Sequence, residues 1–231
     1  MSHFSVLVLT AMPPGVSGDG NAAAVKIDGR EALLRSVELF LNRPDIKQVQ
    51  LVVLPDLMED YKRRFGPHLS FSGVKIISGG PRWVDQIAAA AGKFSDETTH
   101  IVIHDAARPA VPSMDIDALL EAAETKPIVA LSSPIRAALL EIDEGNNPVA
   151  AHPASHFVSL LTPQVFRKDK FQDMARTKAE PHPSTLTLVR GSSMNVRVNS
   201  AGDAALIKSL LMMLPKPKVR PPNSPFEEAQ W

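Results

Sequence analysis

Apolar residues along the chain fall into two rhythms, and their alternation predicts the architecture. Phe4 to Leu9 (FSVLVL) is a short, nearly continuous apolar run, the pattern of a strand covered on both faces. A glycine-bearing loop follows from Met12 to Asn21. From Glu31 to Asn42, Leu33, Leu34, Val37 and Leu41 recur at helical spacing and predict a helix. The alternation then repeats. Strands are predicted over Val49 to Leu54, Val74 to Ile77, Ile101 to Ile103 and Pro127 to Leu131. Helices fall between and after them, over Leu57 to Phe65, Trp83 to Ala91 and Ile116 to Thr125. Such β-α alternation specifies an α/β fold, a Rossmann-like, doubly wound, mostly parallel sheet with right-handed crossovers. The stretch from 133 to 160 breaks the rhythm. Leu139 to Ile142 and Pro148 to Ala151 flank the turn-forming Glu144-Gly-Asn-Asn147 and predict a β-hairpin arm projecting from the sheet. Leu210, Leu211, Met213 and Leu214 are expected on the core face of a last helix.

Composition narrows the function classes. The 231 residues, 44% hydrophobic and 22% charged, suit one domain with a sizeable core, placed at residues 1–214. Lys plus Arg equals Asp plus Glu at 25 each, so no basic surface for nucleic acid is expected. The lack of cysteine excludes disulfides, thiolate metal sites and a cysteine nucleophile, and fits a cytoplasmic protein. No apolar run approaches the roughly eighteen residues of a membrane span, so no membrane partner is expected. The seven histidines show no metal-ligand spacing; Pro153 between His152 and His156 opposes the helix that would align them. Residues 215–231 (PKPKVRPPNSPFEEAQW) hold five prolines and no apolar periodicity. A disordered tail is expected there, with docking onto a partner subunit through Phe226 and Trp231 as the alternative.

The densest chemical signal is Ile101-Val-Ile-His-Asp-Ala-Ala-Arg-Pro-Ala-Val-Pro112. An apolar strand here delivers His104, Asp105 and Arg108 to its carboxyl end, the edge at which open α/β sheets bind ligands. Asp105 is an oxygen ligand suited to Mg²⁺, and Arg108 is a planar fork that matches a phosphate. Ala106 and Ala107 keep the loop thin. His104 is expected to be a packed strand-end residue.

His104-Asp-Ala-Ala-Arg-Pro109 resembles the signature of the 2-C-methyl-D-erythritol 4-phosphate cytidylyltransferases of isoprenoid synthesis. Ser78-Gly-Gly-Pro-Arg82, Leu161-Thr-Pro-Gln-Val-Phe166 and Asn195-Val-Arg-Val198 are similar to further motifs of that family, and stand in family order. The resemblance implies a nucleotidyltransferase type A-like fold. It implies attack of a sugar-alcohol phosphate on the α-phosphorus of CTP, release of pyrophosphate, and Mg²⁺ as cofactor held by Asp105. Arg108, Thr162 and Arg197 would bind the acceptor phosphate, Arg197 standing where the family has a Lys. Gly15, Gly18 and Gly20 would cradle the triphosphate, while Gly79, Gly80, Arg82 and Gln86 would lie along the base and ribose. The arm would clasp a second subunit in a homodimer; the residues alone equally allow a lid.

The chain departs from the family pattern at several reactive positions. Its amino-terminal loop lacks the family's Arg and carries Asp19 instead. Ala22 or Ala23 falls at the catalytic Lys, with Lys26 the nearest candidate to replace it. Ala137, Ala138, Leu139 and Leu140 replace the arm's D-T-I/M-K pattern, Ala154 an Arg that crosses the dimer, and Gln86 a Ser at the base. Two readings result: a cytidylyltransferase for 2-C-methyl-D-erythritol 4-phosphate or another sugar or polyol phosphate, and a fold member impaired in turnover that keeps a binding or dimer-partner role.

Overall fold

The computed structural model describes residues 2–41 and 43–215. The Pro-rich tail expected to be disordered therefore lies, from residue 216 on, outside the described residues. Eleven strands and six α-helices appear in the order β1 (Phe4–Leu9), β2 (Lys26–Ile27), β3 (Arg30–Glu31), α1 (Ala32–Leu41), β4 (Ile46–Val53), α2 (Met58–Phe71), β5 (Lys75–Ser78), α3 (Trp83–Ala90), β6 (His100–Asp105), α4 (Ser113–Ala123), β7 (Ile128–Pro134), β8 (Leu139–Ile142), β9 (Pro148–His152), β10 (Val158–Arg167), α5 (Lys168–Thr177), β11 (Thr187–Arg190) and α6 (Ala204–Met213) among the described residues. Seven strands form the main sheet in the order β11-β7-β10-β6-β1-β4-β5. All its neighbours pair parallel except β10, which runs antiparallel to both β6 and β7.

The expected α/β fold with a mostly parallel sheet is thus present, and its core explains the run of β1. Val6 and Val8 join α1, α2 and α4 on one face, with Leu33, Val37 and Phe40 fully buried. Leu7 and Leu9 join α3 and α5 on the other, around Ile87 and Phe171. Each such side chain contributes on the order of 1.5–3 kcal/mol by leaving water. From β1 the chain winds outward to β4 and β5, then returns past β1 to β6. The connections therefore diverge between β1 and β6, where Leu9 pairs with Asp105. A crevice outside the carboxyl ends of these strands is where such sheets take ligands.

Two local expectations change, and one motif takes a form the apolar pattern does not predict. The helix expected to stop at Phe65 runs on through Gly66 and Pro67 to Phe71, because Leu69, buried completely, draws the next turn onto the core. The segment Leu161–Phe166 lies in a central strand, β10, despite Pro163; a shift of register between Leu160 and Gln164 lifts Pro163 out of the ladder to β7. The apolar face of the last helix is narrower than its sequence suggests. On α6, Ile207 is buried and Leu210 and Leu211 half-buried, whereas Met213 is 70% exposed. This helix packs on a small cluster around Ala22, Ile27, Ala107 and Val198, which accommodates one stripe only.

The arm is present as β8 and β9, paired antiparallel and only with each other. Leu140, Ile142 and Val149 on it are 55–61% exposed. No helix among the described residues is long and apolar enough to cross a membrane.

Candidate active site

Three segments meet at the carboxyl end of β6, and backbone bonds weld them. The loop after β6 is anchored from below, Ala106 N–H donating to Leu9 O (2.9 Å) and Ser36 Oγ to Ala106 O (2.8 Å). Residues 195–199 cross over it, Val198 N–H donating to Ala107 O (2.8 Å). The register shift in β10 turns Thr162 toward the same point, where Asn195 Nδ2 donates to Thr162 O (2.7 Å).

The side chains brought together are Asp105, Arg108, Thr162 and Arg197, each at most 8% exposed. Arg197 Nε donates to Asp105 Oδ2 (2.8 Å), and Ala107 N–H donates to Asp105 Oδ1 (2.9 Å). Arg108 stands on the other side, its Nε 3.7 Å from Asp105 Oδ2 and its Nη1 donating to Asn195 O (2.9 Å). Arg108 Nε is buried and has no hydrogen-bond partner. Burial pushes the Asp105 carboxyl up from its ordinary value, opposed by Arg197 and the Ala107 amide; burial also pulls Arg108 down, opposed by Asp105. One carboxylate thus lies between two guanidinium groups, leaving an excess of positive charge in a dry setting. Planar guanidinium groups in such a setting match the geometry and charge of a phosphate.

His104 completes the frame from beneath. Its Nε2 lies 3.0 Å from Arg108 O, which can only accept, so Nε2 carries the proton. Nδ1 is then free to accept from Thr162 Oγ1 (3.2 Å), and that hydroxyl in turn accepts from Asp105 N–H (3.1 Å). Complete burial holds the His104 imidazole down at about 3, so it stays neutral and serves as a fixed linker rather than a base. The expectation of a packed strand-end residue agrees with this. The Thr162 hydroxyl, expected on the acceptor phosphate, makes two bonds inside the frame. Asn195, which no sequence signal assigned a role, ties Arg108 to Thr162, its backbone carbonyl accepting from Arg108 Nη1 and its Nδ2 donating to Thr162 O.

The other expected residues lie around this cluster or beyond it. Gly18, at φ +148°, passes over Arg197; a Cβ there would stand 3.2 Å from Arg197 Nη1. Asp19 N–H donates to Asn199 O (3.0 Å), so the amino-terminal loop does reach the cluster. Gly15 and Gly20 stand in open space. Gly79 and Gly80 are required by close packing, since a Cβ at Gly79 would lie 2.6 Å from Val52 Cγ1 and one at Gly80 2.8 Å from Asp85 Cβ. Arg82 is exposed and pairs with Asp85 through two bonds of 2.7 and 2.8 Å, holding that carboxyl down at about 2. Gln86 is fully buried and accepts from Ala11 N–H (3.0 Å), locking the start of the amino-terminal loop to α3. Between that loop and the turn opens a cleft of about 490 Å³, lined by Met12, Pro13, Pro14, Pro81, Trp83 and Lys178 among others. A larger hollow of about 820 Å³, lined by Lys62, Lys75 and Lys93, lies along the outer strand β5 and holds none of these residues.

Lys26 is not brought into the cluster. Ala22 and Ala23 form a short 3₁₀ turn packed against Ala107 and Val198 or the main core, and the chain then turns into β2 and β3. Lys26 consequently points outward, 64% exposed, with Glu31 its ion-pair partner at 4.0 Å. Nor do the residues present fit a protein-held metal. Both Asp105 oxygens are engaged by Arg197 and Ala107, and no group of three or more His, Asp or Glu side chains suited to a metal occurs among the described residues.

Comparison with known proteins agrees with this fold. Residues 15–212 match the family model described as 2-C-methyl-D-erythritol 4-phosphate cytidylyltransferase. The curated protein of that name from Frankia casuarinae is 27% identical over 206 residues, covering 84% of this chain and 76% of the relative. Its namesake from Escherichia coli is 26% identical, covering 81% and 84%. Among solved structures, the 4-diphosphocytidyl-2C-methyl-D-erythritol synthase of Anaerococcus prevotii superposes with a TM-score of 0.74 at 13% identity, covering 91% of this chain and 99% of that one. The Thermus thermophilus cytidylyltransferase gives 0.70 at 20% identity, covering 89% and 98%. With a family model spanning most of its length and the same fold beneath it, the chain belongs to the 2-C-methyl-D-erythritol 4-phosphate cytidylyltransferase family.

Proposed function

We propose that the chain transfers a cytidylyl group from CTP to 2-C-methyl-D-erythritol 4-phosphate and releases pyrophosphate. The observation that carries this reading is the Asp105–Arg108–Thr162–Arg197 cluster at the divergence of β1 and β6, inside the matched family region. In this reaction an oxygen of the acceptor phosphate bonds to the α-phosphorus, and the bond from that phosphorus to the pyrophosphate oxygen breaks. Charge develops on the phosphoryl oxygens, so positioned cations and backbone donors do most of the work. Arg197 and Arg108 supply the cations, with Arg108 Nε free to donate. The cleft beside Met12–Pro14 and the Gly79-Gly80 turn is of a size for the cytidine. Gly18 lets the amino-terminal loop come up against Arg197, so that a triphosphate cradled by that loop would meet the guanidinium. A homodimer through the arm is part of the proposal, supported by its exposed Leu140, Ile142 and Val149. A cytoplasmic location fits the cysteine-free sequence.

A second reading, nucleotide binding without appreciable turnover, is favoured by one observation. Ala22 and Ala23 are almost wholly buried where the family has its loop Lys, and Lys26 does not replace it. The two readings part on a pyrophosphate-release assay with CTP and 2-C-methyl-D-erythritol 4-phosphate, run beside calorimetric titration of CTP with the other nucleoside triphosphates as controls. Release that requires both substrates supports transfer. CTP binding without release supports the second reading, and no triphosphate binding at millimolar concentration overturns both.

A further inference from the structure

We infer that Arg197 is the resident counter-ion of Asp105, and that a divalent cation reaches this carboxylate only by displacing it. Arg197 Nε lies 2.8 Å from Asp105 Oδ2, and the two side chains are 5% and 1% exposed, so the contact is dry. The guanidinium is itself held in place, Nη1 donating to Val198 O (3.1 Å) and to Asn199 Oδ1 (3.3 Å). The second carboxylate oxygen accepts from Ala107 N–H, and Arg108 Nε adds a further positive charge 3.7 Å from Oδ2. A cation entering here would meet two guanidinium groups and a single carboxylate.

The geometry of the carboxylate makes the exclusion mutual. A Mg²⁺ ion on Oδ2 would need oxygen ligands at about 2.0–2.1 Å in near-octahedral array, and the Arg197 N–H already on that oxygen supplies none. Asp105 Oδ2 serves Arg197 or a metal, while the Ala107 amide keeps Oδ1 aimed inward. The Thr162 hydroxyl already donates to His104 and accepts from the Asp105 amide. A triphosphate entering with its own cation therefore has to draw Arg197 off Asp105 onto its oxygens. Without that anion the site stays closed to metal.

This inference rests on reading the cluster as a phosphate site, and its test is made on the ligand-free protein so that each can fail alone. Mn²⁺ is titrated into the full chain and followed by electron paramagnetic resonance, with the broadening of backbone amide signals from Ala107 and Asn195 as a site-specific readout. The wild-type protein is expected to show no saturable Mn²⁺ site at Asp105 up to millimolar concentration. Arg197→Gln is expected to bind Mn²⁺ at least about tenfold more tightly, and Asp105→Asn in that background to abolish the gain. Arg197→Lys, which keeps the charge, serves if the glutamine variant does not fold, and should fall between the two. Saturable broadening of these amides in the wild-type protein without nucleotide would overturn the inference, as would unchanged affinity in both Arg197 variants. CTP transfer or its absence does not bear on either result.

Discussion

Asp105 and Arg197 form a pair whose two halves are not equal in the energetics of the fold. Both are buried, so their attraction has to offset two desolvation penalties, and replacing the pair by apolar groups need not destabilise. Removing one half is different. Asp105→Ala leaves Arg197 and Arg108 buried together without their carboxylate, and is expected to cost about 3–5 kcal/mol in urea unfolding. A loss below about 1 kcal/mol would mean that water already reaches the pair. His104 gives a second consequence at this scale. Its folded value, about 3, lies below the ordinary 6.5, so the unfolded chain binds the proton first. Stability from keeping His104 neutral is therefore complete above pH 6.5 and is lost as the pH falls toward 3. The wild type should lose up to about 1.4 kcal/mol more per pH unit in this window than His104→Gln. Parallel denaturation series at pH 7.0, 6.0 and 5.0 check the slope, and equal slopes would refute it. In the sequence, HDAARP disclosed Asp105 and Arg108 as strand-end groups. It did not disclose that Thr162 and Asn195, far off in the chain, complete the frame, because their roles are hydrogen bonds made only when β10 and the 195–199 segment converge.

Among elements, the turn between β5 and α3 is held by contact rather than by sequence preference. Gly79 lies against Val52 of β4 and the backbone of Gln86 in α3, with less space than one methyl group occupies. Gly79→Ala is expected to push α3 outward and destabilise by about 1–3 kcal/mol, the usual cost of overpacking. Since Gln86 also holds Ala11 N–H, the same substitution should weaken CTP binding through the amino-terminal loop. Calorimetry on the folded variant reads that effect, and unchanged affinity would detach the turn from the proposed nucleotide site. The strands β1, β4, β6 and β7 were legible because continuous apolar runs admit few alternatives in an α/β chain. The central strand β10 was legible as a motif and not as a strand, for Pro163 argues against a ladder that a local register shift rescues. On α5 only Phe171, Met174 and Ala175 are buried, too few apolar positions to declare the helix, and β11 at the sheet's edge alternates weakly.

For the whole molecule, the arm is the part whose stability its own sheet does not explain. β8 and β9 pair only with each other, and an isolated two-stranded hairpin is at best marginal in water. Leu140, Ile142 and Val149 remain largely exposed there, and Phe157, Val158 and Leu160 at its return to the sheet are 43–48% exposed. Exposed apolar side chains along a projecting element, at its base as well as on its strands, are better accounted for by burial against another chain than by a lid. A second copy of the chain, applying the same surface about a twofold axis, satisfies both halves at once. The wild-type protein is therefore expected to sediment as a dimer at micromolar concentration. Replacing Leu140 and Ile142 together by Asp should yield a monomer. The isolated fold should change by no more than about 0.5 kcal/mol, because both side chains are more than half exposed within one chain. A double variant that sediments like the wild type would remove the arm from the interface. One that is monomeric yet retains full pyrophosphate release would show that the Asp105 cluster is complete within a single chain.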